Sequence, residues 1–437
     1  MKRNICPKTL AVCLLAVLML AVVLIFGACT DPDESPANTT PETTAETVPA
    51  TVPETVPETE PETEPDTSAE ALETIQSLVD FVVEVETGRD VRILQLTDLQ
   101  IIDPGQVRYP NRLMVDGKPY AVPLSEEEAY EHYFRFVEGT IRAYQPDLIF
   151  MTGDIVYGEF DDSGEVLLSI IEYFESFGIP WAPVFGNHDN ESAKGVDWQC
   201  AQFEAAEHCL FKQGDITGNG NYSIGVVQGG KLVKTLYMMD SNGCGGAANG
   251  GEGVKTSVGF GRDQWQWLNS SAKRINETLD YSVSKFAAFH IAIPQFAQGA
   301  FESGYQSNND SGSYEMYTIG VDVPAKNGDF GTKGETFRAM DLDARFWKTF
   351  KNYGFDGIFV GHTHCNNTSV LYDGIRLTFG LKTGYNRYDQ YNVGQVGGTS
   401  ITLTEGGESF TVQHVYIDER TPAEKLTQSP VTFSFDI

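Results

Sequence analysis

The chain has 437 residues, of which 41% are hydrophobic and 11% aromatic, as is ordinary for a globular protein with a sizeable core. Its formal net charge is −31 at pH 7, whereas neutralising nucleic-acid phosphates requires a basic face. We therefore expect no nucleic-acid-binding surface, although a local cluster of metal ions could still attract one phosphate group.

The first 29 residues have the pattern of a secretory signal. Lys2, Arg3 and Lys8 precede an uncharged apolar run over residues 9–26. The run leads into Cys29 through a sequence that resembles the bacterial lipobox, where lipid is attached to the Cys that becomes the new N-terminus. The alternative is an uncleaved membrane anchor, because about 18 apolar residues just span a bilayer core. Both interpretations predict a membrane-anchored protein outside the cytoplasm.

Residues 30–70 are predicted to form a disordered, extended linker. They contain 12 Asp or Glu, no Lys or Arg and no aromatic residue, and they repeat units such as TVPETVPETEPETEP. Such a segment cannot bury enough apolar surface to offset the entropy of ordering, and its charge and proline content keep it extended. The globular pattern covers residues 71–420, and the weakly patterned residues 421–437 are interpreted as a C-terminal extension.

The globular part is predicted to alternate strands and helices, which is typical of an α/β fold. Residues 71–82 fit a short helix or a strand, and two glycines at 229 and 230 predict a hairpin between residues 221–227 and 232–239. Residues 298–334 are polar and Gly-rich and are predicted to form a long loop. The other predicted strands are 91–96, 148–151, 181–185, 357–360, 369–372, 375–379, 400–403 and 410–416, and the predicted helices are 125–144, 166–177, 199–211, 262–279 and 340–353.

Five apolar runs each end in side chains that bind metal ions. A short buried strand that stops at a polar turn points a side chain into a crevice. Carboxylate, amide, phenol and imidazole groups are the ligands of a hard to intermediate dinuclear site. The sequence therefore predicts a metal-dependent hydrolase whose candidate ligands are Asp98, Asp154, Tyr157, Asn187, His290, His362 and His364.

The motifs TDLQ, GDIVY, GNHD, FHIAIP and GHTH stand in the order found in the calcineurin-like metallophosphoesterase superfamily, which the chain resembles over about residues 91–387. The stretches FHIAIPQF and GHTHCNN are similar to its single-domain purple acid phosphatase homologues. The resemblance implies a four-layer α-β-β-α sandwich with two mixed sheets flanked by helices, formed by residues 71–420. It also implies an enzyme that hydrolyses phosphate monoesters through hydroxide activated by a dinuclear metal centre.

The resemblance also implies the role of each ligand: Asp98, Tyr157 and His364 hold the first ion, Asp154 bridges, and Asn187, His290 and His362 hold the second. Many members carry a His two residues after the first Asp, where this chain has Gln100, but a Tyr at position 157 is the purple acid phosphatase form. A phenolate ligand implies a strongly charged ion, so we expect iron at the first position and iron, zinc or manganese at the second. Alternatively, Gln100 reaches the metal through its oxygen and Tyr157 only covers the site.

His188 is the candidate to stabilise the transition-state charge or to protonate the leaving oxygen, and Asp189 is the candidate to orient its imidazole. Two other functions stay open at this point. Pocket width would decide between a monoesterase and a phosphodiesterase for nucleotides or lipid head groups, and missing ligands would indicate a non-catalytic surface binding module. The candidate substrate contacts are Asn187, His188, Asn366, Lys382 and Arg387.

Overall fold

The computed structural model describes residues 67–434 with gaps. The predicted signal, most of the linker, Arg387 and the start of the helix predicted over 125–144 lie outside the described residues. Among the helices that are described, none has the length and apolar character needed to cross a bilayer. The gaps are 104–105, 107–113, 116–117, 120–133, 135–136, 244–258, 306–316, 321, 323, 338, 385–396 and 417–430.

The helices and strands largely follow the predicted alternation. The helices are α1 Thr67–Leu78, α2 Glu165–Glu175, α3 Val196–Ala205, α4 Arg262–Thr278, α5 Pro294–Ser303 and α6 Ala344–Asn352. The strands are β1 Phe81–Val85, β2 Val91–Leu96, β3 Met114–Val115, β4 Lys118–Pro119, β5 Leu148–Thr152, β6 Trp181–Val184, β7 Tyr222–Gln228, β8 Lys231–Met238, β9 Lys285–Ala288, β10 Tyr317–Thr318, β11 Thr332–Lys333, β12 Phe355–Val360, β13 Ser369–Tyr372, β14 Ile375–Phe379, β15 Gly397–Leu403, β16 Ser409–Tyr416 and β17 Val431–Ser434.

Two mixed sheets form the centre of the fold. The seven-stranded sheet has the order β1-β7-β8-β9-β12-β14-β13, and the six-stranded sheet has the order β17-β16-β15-β2-β5-β6. In the larger sheet β8, β9, β12 and β14 run parallel. In the smaller sheet β2, β5 and β6 run parallel. The parallel strands of each sheet therefore present their carboxyl ends at one edge.

The two sheets pack face to face through aromatic side chains. Phe359 of the larger sheet meets Phe150 of the smaller with ring centroids 5.7 Å apart, and Phe286 meets Phe410 at 4.9 Å. Helices α1, α4 and α6 bury apolar residues against the outer face of the larger sheet, and α2 and α3 do so against the smaller sheet. The four-layer sandwich with two mixed sheets is confirmed.

The burial of each strand explains its sequence pattern. Every residue of β5 and β12 is buried, because both faces of a central parallel strand are covered, and both strands are dominated by apolar residues. Strand β16, next to the edge strand β17, alternates half-buried and buried positions, as a strand with one solvated face does. At the tip of the β7–β8 hairpin, Gly229 and Gly230 have φ angles of 59° and 73°, which is the backbone of the predicted tight turn.

Three of the differences from the sequence prediction have a physical reason in the structure. Helix α3 ends at Ala205 rather than 211, because the backbone of residues 208–210 pairs instead with Trp181 of β6. The segment predicted as a loop over 298–334 contains the end of α5, which starts at Pro294, a favoured first helical residue. Within the predicted C-terminal extension, β17 pairs antiparallel with β16 and forms the edge of the smaller sheet.

A buried ion pair lies between the sheets. Lys234 Nζ donates to Asp356 Oδ2 at 2.6 Å, and the two side chains are 0% and 2% exposed. The ammonium also lies 4.2 Å from the ring centroid of Phe286 and 5.3 Å from that of Phe410. Removing two charges from water is costly, so each partner depends on the other to remain charged.

Candidate metal centre

The predicted ligands converge because they follow strands whose carboxyl ends meet. The carboxylate and amide ligands come from the smaller sheet, where β2, β5 and β6 are followed by Asp98, Asp154 and Asn187. The imidazoles come from the larger sheet, where β9 is followed by His290 and β12 by His362 and His364. The smaller sheet thus supplies oxygen donors, and the larger sheet supplies imidazole nitrogens.

Four donor atoms surround a point beside His290. Its Nε2 atom lies 3.1 Å from Asn187 Oδ1, 3.3 Å from His362 Nδ1 and 3.4 Å from Asp154 Oδ2. Its Nδ1 atom lies 2.7 Å from the carbonyl oxygen of Thr152, which can only accept, so Nδ1 carries a proton. In the neutral ring Nε2 then directs a lone pair at other acceptors. The neighbouring oxygens of Asn187 and Asp154 accept, so a proton on Nε2 or a cation among the four atoms would stabilise this arrangement.

The spacing of these four atoms fits a metal ion. Nitrogen and oxygen ligands bound about 2.0–2.2 Å from one cation lie roughly 3.0–3.5 Å from each other. The three distances from His290 Nε2 fall within this range. The residues predicted for the second position therefore fit a transition-metal cation.

A second group of donors adjoins the first and shares Asp154 with it. One group contains Asp154, His290 and His362 and the other contains Asp98, Asp154 and His364, and within each group the donor atoms lie within 4.8 Å of one another. His364 Nε2 lies 3.3 Å from Asp98 Oδ1. The shared carboxylate has the position that a bridge between two cations needs.

The cluster is electrostatically balanced by the pairing of carboxylates with imidazoles. Burial opposes protonation of His290, but the carboxylate of Asp154 outweighs it and raises the pKa of His290 to about 9. Burial, together with the charge of His290, lowers the pKa of His362 to about 3. Because His290 holds a proton at neutral pH, metal binding has to release that proton.

The backbone around the ligands is strained. Asp98, Gln100, Asp154 and His362 have φ angles of 51°, 46°, 51° and 74°, in a region that residues other than Gly rarely adopt. A Cβ atom at Gly361 would lie 2.0 Å from the hydroxyl oxygen of Thr97 and 2.6 Å from Asp98 Oδ2. Backbone strain of this kind is stored at functional sites, and here it turns ligands inward directly after the strands.

His188 lies against Tyr157 at the edge of the cluster. The two rings are stacked with centroids 4.1 Å apart. The backbone N–H of His188 donates to Asp154 Oδ1 at 2.8 Å. Burial opposes protonation of the ring, but Asp154 and Glu191 outweigh it and raise the pKa of His188 above 6.5. The structure thus places Tyr157 next to the site, while its ligation of a metal stays a prediction.

The residue that orients the His188 imidazole is Glu191, not Asp189 as predicted. Glu191 Oε2 lies 2.8 Å from His188 Nδ1. Asp189 instead accepts from the backbone N–H groups of Gly186 and Val156 at 2.7 and 2.9 Å. Burial, together with the charge of Asp154, raises the pKa of Asp189 to about 7. The sequence did contain a signal for Glu191, because a turn after GNH brings residues three apart together.

Gln100 and Lys382 are hydrogen-bonded to each other beside the candidate ligands. The oxygen of Gln100 accepts from Lys382 Nζ at 3.2 Å, and its nitrogen donates to Asp154 Oδ2 at 3.2 Å. The oxygen of Gln100 therefore faces Lys382 rather than a metal ion. The ammonium of Lys382 is held against Gln100 and the backbone carbonyl of Asp98. Asn366 is buried, with its oxygen accepting from the N–H groups of Gly334 and Glu335. Its contact with substrate stays a prediction.

This fold and ligand set agree with the comparison with known families. A model of the calcineurin-like phosphoesterase family matches residues 91–366. The chain belongs to this family.

Individual relatives are distant. Phosphatase DCR2 of Saccharomyces cerevisiae is 27% identical over 53% of this chain and 38% of that protein. Probable inactive purple acid phosphatase 29 of Arabidopsis thaliana is 26% identical over 58% of this chain and 63% of that protein. The chain thus matches less than two thirds of the length of these relatives. A dimetal phosphatase structure from Danio rerio aligns with a TM-score of 0.45 at 11% identity, covering 79% of this chain and 99% of the other.

Proposed function

We propose that the protein hydrolyses phosphate monoesters at a dinuclear metal centre. The observation that carries this proposal is the convergence of Asn187 Oδ1, His362 Nδ1 and Asp154 Oδ2 on His290 Nε2, at distances of 3.1, 3.3 and 3.4 Å that suit ligands of one cation. The second group of donors around Asp98 and the shared carboxylate of Asp154 support a pair of ions rather than one. Membership of the phosphoesterase family supports a phosphate ester as the substrate.

Bound cations would supply an activated water nucleophile and neutralise charge on the phosphoryl group. The protein itself positions the groups around the phosphoryl group. Asp98 is fixed by the backbone N–H of His362 at 3.1 and 3.2 Å and by the hydroxyl of Thr97 at 2.8 Å. His188 is fixed through Nδ1 by Glu191, so Nε2 is its remaining atom for donating a proton to the leaving oxygen.

Replacing His188 with Ala should therefore affect esters according to their leaving group. With glycerol phosphate, whose alkoxide must be protonated, we expect kcat to fall by about 100-fold to 10,000-fold. With nitrophenyl phosphate, whose phenolate leaves without a proton, we expect a loss below about tenfold. Steady-state kinetics of both substrates test this, with His208→Ala, which lies after the C-terminal end of α3 and beside Trp181 of β6, as the control. An equal loss on both esters would contradict the proton-donor role.

We propose iron at the first cation position, with Tyr157 as a phenolate ligand, and iron, zinc or manganese at the second. The support is the position of the Tyr157 ring beside His188 and Asp154 and the need of a phenolate for a strongly charged ion. Elemental analysis and the visible spectrum of the purified protein test this. A charge-transfer band that Tyr157→Phe removes is the expected result, and a colourless, fully active zinc or manganese enzyme would refute it.

Monoester specificity is tested by assaying nitrophenyl phosphate against bis-nitrophenyl phosphate. Faster hydrolysis of the monoester is expected. Faster hydrolysis of the diester would instead indicate a phosphodiesterase for nucleotides or lipid head groups. No hydrolysis by the metal-loaded protein would indicate a binding module.

We also propose that the protein works outside the cytoplasm, anchored to a membrane by lipid on Cys29 or by an uncleaved apolar segment. The basic residues before the apolar run of residues 9–26 support this, and the acidic linker would separate the folded domain from the membrane. Mass spectrometry of the mature N-terminus distinguishes the two anchors. An intact, unlipidated N-terminus in the soluble cell fraction would contradict both.

A further inference from the structure

The amide of Gln100 connects Asp154 to a buried lysine. Its Nε2 atom donates to Asp154 Oδ2 at 3.2 Å, and its Oε1 atom accepts from Lys382 Nζ at 3.2 Å. An ammonium group only donates and a carboxylate only accepts, so these two partners determine which way the amide points. The oxygen, which is the atom of Gln that binds a metal, consequently faces Lys382.

Lys382 is itself held in one place. It is 2% exposed, and its ammonium also donates to the backbone carbonyl oxygen of Asp98 at 2.9 Å. The backbone N–H groups of Thr383 and Gly384 donate to the carbonyls of Thr97 and Asp98 at 2.9 and 3.2 Å. A positive charge is thereby fixed one amide group away from the carboxylate that the two cation positions share.

We propose that Gln100 and Lys382 are positioning residues that make the two cation positions unequal for divalent ions, with tight binding at the second and weak binding at the first. This inference rests on the proposed dinuclear function. The second position has four converging donors, from Asp154, Asn187, His290 and His362.

The first position has fewer donors for a divalent ion. The oxygen of Gln100 is turned towards Lys382, and the ring of Tyr157 is stacked on that of His188. Among the residues that the structure describes, the carboxylate and imidazole donors grouped there are Asp98, His364 and the shared Asp154. The ammonium of Lys382 repels a cation there, and it also draws the Gln100 oxygen away from it.

Titration of the metal-depleted full-length protein with Mn²⁺ tests this without measuring activity. Calorimetry should resolve two equivalents in the wild-type protein, the first binding at least about tenfold more tightly than the second. In Gln100→His, which supplies an imidazole, the second equivalent should bind about tenfold more tightly than in the wild type. Lys382→Met should also tighten the binding of the second equivalent, because it removes the positive charge and releases the oxygen of Gln100.

The controls are Gln202→His on α3 and Lys273→Met on α4, which repeat each chemical change away from the site and should leave both affinities unchanged. Thermal melting establishes that each variant is folded, and Gln100→Glu, which is closest in shape to the wild type, provides a second test by adding an anionic oxygen. Two equivalents of equal affinity in the wild type would overturn the inference. The inference would also be overturned if the affinity for the second Mn²⁺ equivalent were unchanged in Gln100→His, Lys382→Met and Gln100→Glu. Absence of any Mn²⁺ binding would instead refute the dinuclear function itself.

Discussion

Replacing Asp154 with Asn is expected to lower kcat for nitrophenyl phosphate by at least about 1000-fold, or about 4 kcal/mol in activation free energy. Asp154 is 1% exposed, and its two oxygens face His290 and the backbone N–H of His188. Asn preserves the shape but removes the negative charge that two neighbouring cations need between them. Kinetics and elemental analysis of the purified variant should therefore show loss of activity together with loss of bound metal.

Asp373→Asn is the matched control for this substitution. Asp373 also has a left-handed backbone, with φ of 47° against 51° for Asp154, so Asn is tolerated equally well by both conformations. Its carboxylate pairs with Lys351 at an exposed site. The control should retain full activity. An Asp154→Asn enzyme that keeps its metals and works within about tenfold of the wild type would contradict the proposed role of this carboxylate.

Replacing Asp356 with Leu is expected to destabilise the protein by about 3–5 kcal/mol, because it leaves the ammonium of Lys234 buried without a counter-ion. Lys234 is 0% exposed and lies between the two sheets. Replacing both partners, as Lys234→Met with Asp356→Leu, should recover most of that loss, since neither charge of the pair is then buried alone. Urea unfolding monitored by circular dichroism measures the free energy of unfolding of the wild type, the single variant and the double variant.

The surface ion pair between Arg142 and Glu138 provides the contrast. Their side chains are 69% and 42% exposed, and pairs of this kind contribute about 0–1 kcal/mol. Glu138→Ala should therefore have little effect on the free energy of unfolding. If Asp356→Leu were equally mild, the buried pair would not stabilise the packing of the two sheets.

The strands that end at the ligands could be predicted because central parallel strands are dominated by apolar residues. The runs before Asp98, Asp154 and His362 are short, are rich in Ile, Leu, Val and Phe, and are buried at every position except Arg92 of β2. The order of the motifs then indicated which side chains meet. This information is local, and it identified the family and the two-sheet fold.

Contacts between distant segments could not be predicted in the same way. The orientation of the Gln100 amide depends on Lys382, which is 282 residues away, and no local pattern reports such a pair. Helix α3 was predicted too long because its sequence does not show that residues 208–210 pair with β6. The edge strand β17 has a weak pattern, since its position depends on pairing with β16 rather than on its own residues.

The division of ligands between the two sheets has a consequence for how the protein matures. Oxygen donors come from segments up to Asn187, and the imidazoles come from His290 onward. A cation held by both sets is a cross-link between the two layers, and it stabilises only a chain in which they are already aligned. During synthesis the full set of ligands is therefore complete only once residue 364 has emerged and both layers have assembled.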